Sequence, residues 1–394
     1  MKTLAKKFEQ IFGTTHETTI FSPGRVNLIG EHTDYNGGHV FPCALSFGTY
    51  ALVKPRQDQN YRFYSLNFEQ EGVIAGTMTT IVNDPKDDWA NYPKGVIDVF
   101  QKQFGTFAHG FDILFYGNIP NGAGLSSSAS LELAMSVVLQ EVFQLEVSMV
   151  EMVKMSQKAE NEFIGVNCGI MDQFAIGMGK ANHAILLDCN TLNYRYSPLD
   201  LNGYQIVIAN TNKRRGLADS KYNERRGETT QALEILQQET SIHSLGELTN
   251  EQFDALAHLI ADEVVRKRAK HAVYENQRTL AAVEALEKKD LAHFGQLMVA
   301  SHVSLRDDYE VTGLELDTLV RVSLLQDGVI GSRMTGAGFG GCTVSIVAKD
   351  QIEQFKEKVA KAYHEIIGYA PTFYVADVAD GTRVITNEAT VYTA

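Results

Sequence analysis

The chain has 394 residues, 44% apolar and 21% charged, with 32 Gly and only 8 Pro. That balance excludes a disordered, fibrous or collagen-like protein, and the length sets two domains, or three, as the expectation. A net charge of −13 argues against a duplex nucleic acid or an anionic bilayer as partner, so an anionic ligand has to be gathered by local backbone and a few cations.

In chain order, Leu4, Ala5, Phe8, Ile11 and Phe12 fall at helical spacing and a strand-like Thr19-Ile20-Phe21 follows. Short alternating stretches (Tyr50–Val53, Tyr61–Tyr64, Gly72–Ala75) predict antiparallel strands between Thr49 and Ile81, and Phe111–Phe115 predicts another. A glycine and serine loop spans Gly122–Ser128, then helices are expected over Ser127–Phe143 and from Ser148, where Ser148 and Glu151 form a capping-box pattern. Strands are predicted around Ala184–Leu187 and Gln205–Ala209, and a helix-rich stretch from Thr249, itself boxed with Gln252, to Ala300. The chain then predicts a strand over Cys342–Ala348, a helix over Ile352–Ile367 and a last strand over Thr372–Val378. Strands and helices mix without regular βαβ alternation. The expected class is therefore α+β with mixed or antiparallel sheets. A soft boundary falls near 195, dividing 1–195 from 196–394, and no Pro/Gly/Ser linker marks it, so two domains should pack closely across a cleft.

Cys43, Cys168, Cys189 and Cys342 stand far apart without metal-ligand spacing, as expected of reduced, mostly buried thiols. The start of the chain has no apolar run behind its lysines, and no stretch nears the roughly 20 apolar residues of a membrane helix. A cytoplasmic location is expected.

Three segments carry chemistry. In Ile119-Pro120-Asn121-Gly122-Ala123-Gly124-Leu125-Ser126-Ser127-Ser128-Ala129-Ser130, glycines let backbone approach a ligand, and the helix start behind them leaves amides free for phosphate. No GxxxxGK[ST], GxSxG or HExxH occurs. Gly336-Ala337-Gly338-Phe339-Gly340-Gly341 fits G-x-G-x-x-G, but a strand follows where a dinucleotide fold needs a helix. The second segment, Gly24 to Gly38, sets Arg25, Glu31, His32 and Asp34 among glycines, as a polyol site would. In the third, Asp172 stands alone in Ile170-Met171-Asp172-Gln173-Phe174, so it must be paired or titrate. Arg25 is the partner expected.

Together with Ser332–Gly341, Ala218–Arg226 and Ser301–Glu310, these segments resemble the galactokinases, of the superfamily of galactokinase, homoserine, mevalonate and phosphomevalonate (GHMP) kinases. The resemblance spans roughly residues 8 to 380; the Gly24–Gly38 segment is specific to galactokinases, whereas the phosphate loop marks only the superfamily. It implies a two-domain fold with the active site between the domains, and galactose and ATP as substrates of a monomer. Galactose would be held by Glu31, His32, Thr33, Asp34, Gly169, Asp172 and Tyr222. The nucleotide would lie against Ser65, Trp89 and the loop Gly122, Ala123, Gly124, Leu125, Ser126, Ser127 and Ser128. Mg²⁺ would be bound by Ser128 and Glu160, and Asp172 and Arg25 would be the catalytic pair. From its own surroundings Glu160 reads as an ordinary solvated helix face and Trp89 as a packing residue. The run Arg266-Lys267-Arg268-Ala269-Lys270 also reads as a solvated face.

The anomeric hydroxyl is the most acidic of the sugar, because the ring oxygen shares its carbon. A carboxylate within reach can take its proton while Arg25 offsets phosphoryl charge. Ser128 and Glu160 can meet if two helices of about 16 residues, each near 24 Å long, fold back as a hairpin across Gln144–Glu146. Two rivals remain: a kinase for N-acetylgalactosamine, and a galactose and ATP sensor that regulates transcription. Sensors of that kind lack the Ser-Ala pair that this chain keeps at Ser128-Ala129.

Overall fold

The computed structural model describes residues 1–119, 124–213 and 218–386, with backbone only at 218 and 219. Six strands build the first sheet: β1 (Thr18–Asn27), β3 (Pro42–Pro55), β4 (Asn60–Ser65), β5 (Ile74–Thr77), β6 (Phe111–Gly117) and β13 (Arg383–Val384), in the order β13-β1-β3-β6-β4-β5. Alternation along β3 sends Ala51 and Val53 to one face and Tyr50 and Leu52 to the other. The first face packs on α2 (Asn91–Phe104) and α3 (Ser127–Phe143); the second is covered by Phe8 and Phe12 of α1 (Lys2–Phe12). Each such aromatic is worth about 1.5–3 kcal/mol when buried.

The antiparallel strands expected between 49 and 81 form, with β3, β4 and β5 alternating in direction, but β3 and β4 are not neighbours. β4 pairs antiparallel with β5 but parallel with β6, and β6 is inserted between β3 and β4. The reason is a return through α2, which brings the chain back to the sheet beside β4 in the same direction.

A three-stranded sheet joins β2 (His39–Val40), β7 (His183–Asp188) and β8 (Tyr194–Pro198), with α4 (Met149–Lys158) and α5 (Met171–Met178) alongside α3. A four-stranded sheet runs β10 (Val329–Thr335), β11 (Cys342–Ala348), β9 (Tyr204–Asn210), β12 (Thr372–Ala376). Around it lie α6 (Ala218–Leu236), α7 (Asn250–Leu256), α8 (Glu263–Glu287), α9 (Leu291–Asp307), α10 (Leu314–Leu324) and α11 (Ile352–Ile367). Both expected capping boxes form, Ser148 with Glu151 and Thr249 with Gln252, each typically worth ~1 kcal/mol. α6 and β8 were not legible as elements. β12 is not the last strand, because the chain continues to β13 and pairs with β1. Nor is the basic run wholly a solvated face, although Lys270 is exposed. Arg268 is buried, bonding Glu228, Glu310 and the Asp308 carbonyl, because α8 packs that side against α6 and α9.

Candidate active site

Two pockets adjoin at the N-terminus of α3, where Ser127 and Ser128 line both. The first is lined by Arg25, the β1–β2 connection, Cys168, Gly169, Met171, Asp172, Tyr222, Gly336 and Ala337, drawing on both sides of residue 195.

Asp172 opens α5 and lies against Arg25, which comes from the buried end of β1. Arg25 Nε donates to Oδ1 at 2.9 Å and Nη2 to Oδ2 at 3.0 Å. The remaining guanidinium nitrogen, Nη1, donates to the Gly124 carbonyl at 2.7 Å. Arg25 is thus the cation that the lone carboxylate in an apolar run requires. Ser126 adds a third donor, its hydroxyl 2.5 Å from Asp172 Oδ2.

Glu31 is buried and accepts from the Gly336 amide at 2.8 Å and Arg333 Nη1 at 3.3 Å. Arg333 is itself fully buried between Glu31 and Glu275. Burial pushes the Glu275 carboxyl up, but Arg278, His271 and Arg333 outweigh it and hold it at about 2. Removing one member of such a buried pair costs roughly 3–5 kcal/mol. His32 has both ring nitrogens engaged, Nε2 with the Ala337 carbonyl (3.1 Å) and Nδ1 with the Tyr35 hydroxyl (2.7 Å), which meets the Tyr309 hydroxyl at 2.8 Å. A carbonyl only accepts, so Nε2 carries the proton. Burial, then the neighbouring His271, holds His32 down at about 3, so the ring is neutral. Asp34 is raised to about 6 by burial and then by the Asp172 charge. Tyr222 closes the wall, its ring 5.7 Å from His32 and 5.4 Å from Tyr35. Thr33 lies elsewhere: it is buried and lines neither pocket, its hydroxyl 2.8 Å from the Gly30 carbonyl and 2.7 Å from that of His39.

Ser128 Oγ lies 3.3 Å from Glu160 Oε1. Glu160 sits on a π-turn (Ala159–Ile164) that continues α4, and it is buried, which corrects the reading of it as a solvated face. Gln173 Nε2 reaches both Glu160 (2.7 Å) and Glu132 (3.0 Å). Burial and then the Asp172 charge push Glu160 to about 7, and burial and then Glu160 push Glu132 well above the carboxylate range.

The second pocket is lined by Ser65, Phe68, Trp89, Tyr92 and Phe115 among others. Trp89 is nearly buried, stacked on Phe68 at 6.4 Å and edge-on to Phe115 at 5.8 Å, so it both packs and lines. Its Nε1 has no hydrogen-bond partner among the described residues. Ser65 Oγ accepts from the Asn67 amide at 3.2 Å. Gly124, Ser126, Ser127 and Ser128 line the first pocket, whereas the Leu125 side chain is buried in a core. Gly122 and Ala123 lie outside the described residues.

Sequence reasoning missed Tyr35, Glu132, Gln173, Glu275 and Arg333. Tyr35, Arg333 and Gln173 stood in segments already singled out, but Glu275 is one acid in a charged helix, and nothing local tells it from the exposed Glu263, Glu284 and Glu287 of the same helix.

A carboxylate fixed by guanidinium in one pocket, beside a serine-rich helix start that also lines a second, aromatic pocket, suits proton removal from a hydroxyl beside a phosphate. Profiles described as "GHMP kinases N terminal domain", "Galactokinase galactose-binding signature" and "GHMP kinases C terminal" match residues 91–180, 6–55 and 282–365. The chain is 61% identical over 382 residues to a galactokinase of Clostridium beijerinckii, covering 97% of this chain and 98% of that protein. It is 62% identical, with the same coverage, to that of Clostridium acetobutylicum. A crystal structure of Lactococcus lactis galactokinase complexed with galactose matches at TM-score 0.95 and 51% identity, covering 97% of this chain and 99% of that one. A mevalonate kinase structure at 18% identity and TM-score 0.65, covering 92% of this chain and 100% of its own, shares the fold.

Proposed function

The chain belongs to the galactokinases, within the GHMP kinases, and from that premise we propose how its cleft carries out the reaction. The enzyme transfers the γ-phosphoryl group of ATP to the anomeric hydroxyl of D-galactose, giving galactose 1-phosphate and ADP. The observation that carries the reading is the Arg25–Asp172 pair in the first pocket, set against the serine start of α3, whose Ser127 and Ser128 line both pockets.

Galactose takes the first pocket, between Glu31, His32, Asp34, Gly169, Asp172 and Tyr222. The ring of His32 contributes shape there, since both its nitrogens are engaged by the protein. The second pocket takes the base of ATP beside Trp89 and Ser65, and the loop ending at Ser128, with Gly122 and Ala123, takes the phosphates on helix-start amides. Asp172 accepts the anomeric proton as the sugar oxygen bonds to the γ-phosphorus and the bond to the β-phosphate oxygen breaks. Arg25 holds the Asp172 carboxylate in place through two hydrogen bonds and offsets charge on the transferred group.

Ser128 and Glu160 suit Mg²⁺. They are hard oxygen donors beside the phosphate position, and Glu160 is a buried carboxylate without a cation partner among the described residues, raised to about 7 by burial and then by Asp172. When bound, Mg²⁺ would neutralise phosphate charge. The expected division at 195/196 is a division of ligand contacts across this cleft. Four free cysteines and the use of ATP support a cytoplasmic enzyme.

The test is a coupled ADP-release assay, with the sugar phosphate identified by phosphorus NMR. Galactose should be turned over, and Asp172→Asn should lower kcat by about 10²–10⁴-fold while calorimetry still detects galactose binding. No ADP release with galactose, or an equal kcat/KM for N-acetylgalactosamine, would overturn the reading.

A further inference from the structure

Ser126 occupies the N-cap of α3, where a serine ordinarily holds extended backbone and accepts a bond from an amide of the first turn. Here its backbone is left-handed (φ 63, ψ 51) and its side chain makes no capping bond. A residue with a Cβ enters that region only at a cost, and such strain gathers where it serves a function. The hydroxyl instead donates to Asp172 Oδ2 at 2.5 Å. Two further bonds tie the same stretch of loop to Arg25: Nη1 donates to the Gly124 carbonyl and the Arg25 amide to the Leu125 carbonyl, at 3.3 Å.

A carboxylate oxygen offers about two acceptor positions. Among the described residues, Oδ2 accepts from both Arg25 Nη2 and Ser126, whereas Oδ1 accepts only from Arg25 Nε. We propose that Ser126 is a positioning residue for Asp172: by occupying Oδ2 it directs the galactose hydroxyl to Oδ1, so the loop that receives the phosphates also aims the base. This rests on the galactokinase reading above, and it gives Ser126 the carboxylate, not the nucleotide, as its side-chain partner. Without the hydroxyl, the sugar proton meets two competing oxygens, one of them misaligned.

The experiment compares wild type, Ser126→Ala, Ser126→Gly, Asp172→Asn and the Ser126→Ala/Asp172→Asn double variant by steady-state kinetics, galactose calorimetry and thermal melting. Ser126→Ala should lose about 10- to 100-fold in kcat, the scale of one hydrogen bond to a charged group, with both KM values within about threefold. Ser126→Gly relieves the backbone and should melt no lower than Ser126→Ala, yet be as slow. In the Asp172→Asn background, adding Ser126→Ala should cost less than about threefold, because the partner is already altered. An unchanged kcat in Ser126→Ala overturns the proposal. So does recovery of kcat in Ser126→Gly, which makes strain the cause, or a loss confined to the KM for ATP, which makes Ser126 a phosphate ligand. Should Ser126→Ala fail to fold, Ser126→Gly alone decides. Wild-type turnover in the same assay separates the two failures: without it the galactokinase reading falls and takes this proposal with it.

Discussion

Asp34 and Gly169 show how closely single residues fit in the proposed sugar pocket. A Cβ on Gly169 would stand 1.9 Å from Asp34 Oδ2 and 2.2 Å from its Cγ, so alanine there would displace the Asp34 carboxylate. Gly169→Ala should raise the KM for galactose at least about tenfold and leave that for ATP nearly unchanged, since the displaced carboxylate faces the sugar side only; equal KM values for galactose would refute the fit. Asp34 itself is raised from 3.8 to about 6, by burial first and the Asp172 charge second. Between those values the folded protein binds more protons than the unfolded chain, so this group's contribution to stability falls as pH rises from about 4 to about 6 and stays low above. Asp34→Asn should therefore melt at or above wild type at pH 8 without sugar, lose that advantage near pH 4, and bind galactose more weakly. Melting scans across that range check it, and a wild type more stable at pH 8 would sink it.

At the level of elements, the α3–α4 hairpin carries the proposed cation site. Gln144 ends α3 in the left-handed conformation, and a few residues later the capping box of Ser148 starts α4. The buried hydroxyls of Ser136 and Ser156 meet at 2.8 Å between the antiparallel helices, which sets Glu132 level with Glu160. Glu160 follows Ser156 by four residues, so the helical repeat carries it onto the same inward face at the start of the π-turn. Glu160→Gln keeps the shape and removes the charge. It should raise the Mg²⁺ concentration for half-maximal activity about tenfold or more and weaken Mg²⁺-dependent ATP binding in calorimetry, with galactose binding kept. An unchanged Mg²⁺ requirement would leave Glu160 a packing residue.

Across the whole molecule, one hydrophobic cluster joins Val26, Leu28, Ile29 and Phe41 to Ile206, Ile208, Cys342 and Val344, and the chain returns from β12 to add β13 to the first sheet. Thr382 fastens that return through Ser22 and the Ile176 carbonyl. The halves on either side of 195 thus share a core, and both contribute residues to the first pocket. Calorimetric unfolding should show a single transition that galactose moves upward as a unit; two separable transitions, only one of them moved by galactose, would show that the halves fold independently.

What the sequence determined by itself was whatever is local. Ser127–Phe143, Cys342–Ala348 and Ile352–Ile367 were delimited by periodicity and punctuation, because a helix or strand is set by neighbours a few residues away. The lone carboxylate in an apolar run pointed to a cation for the same reason: burial without a counter-charge is prohibitive. Only tertiary structure decided that β6 enters between β3 and β4, that β13 returns to β1, and that Arg268 is buried. Each depends on which distant surface a segment meets, and no local pattern encodes that. Ser126 lies between these cases. Its place at a helix start was legible, but its hydroxyl turned from the helix to Asp172, 46 residues away, because the fold set that carboxylate closer than the amides it would have capped.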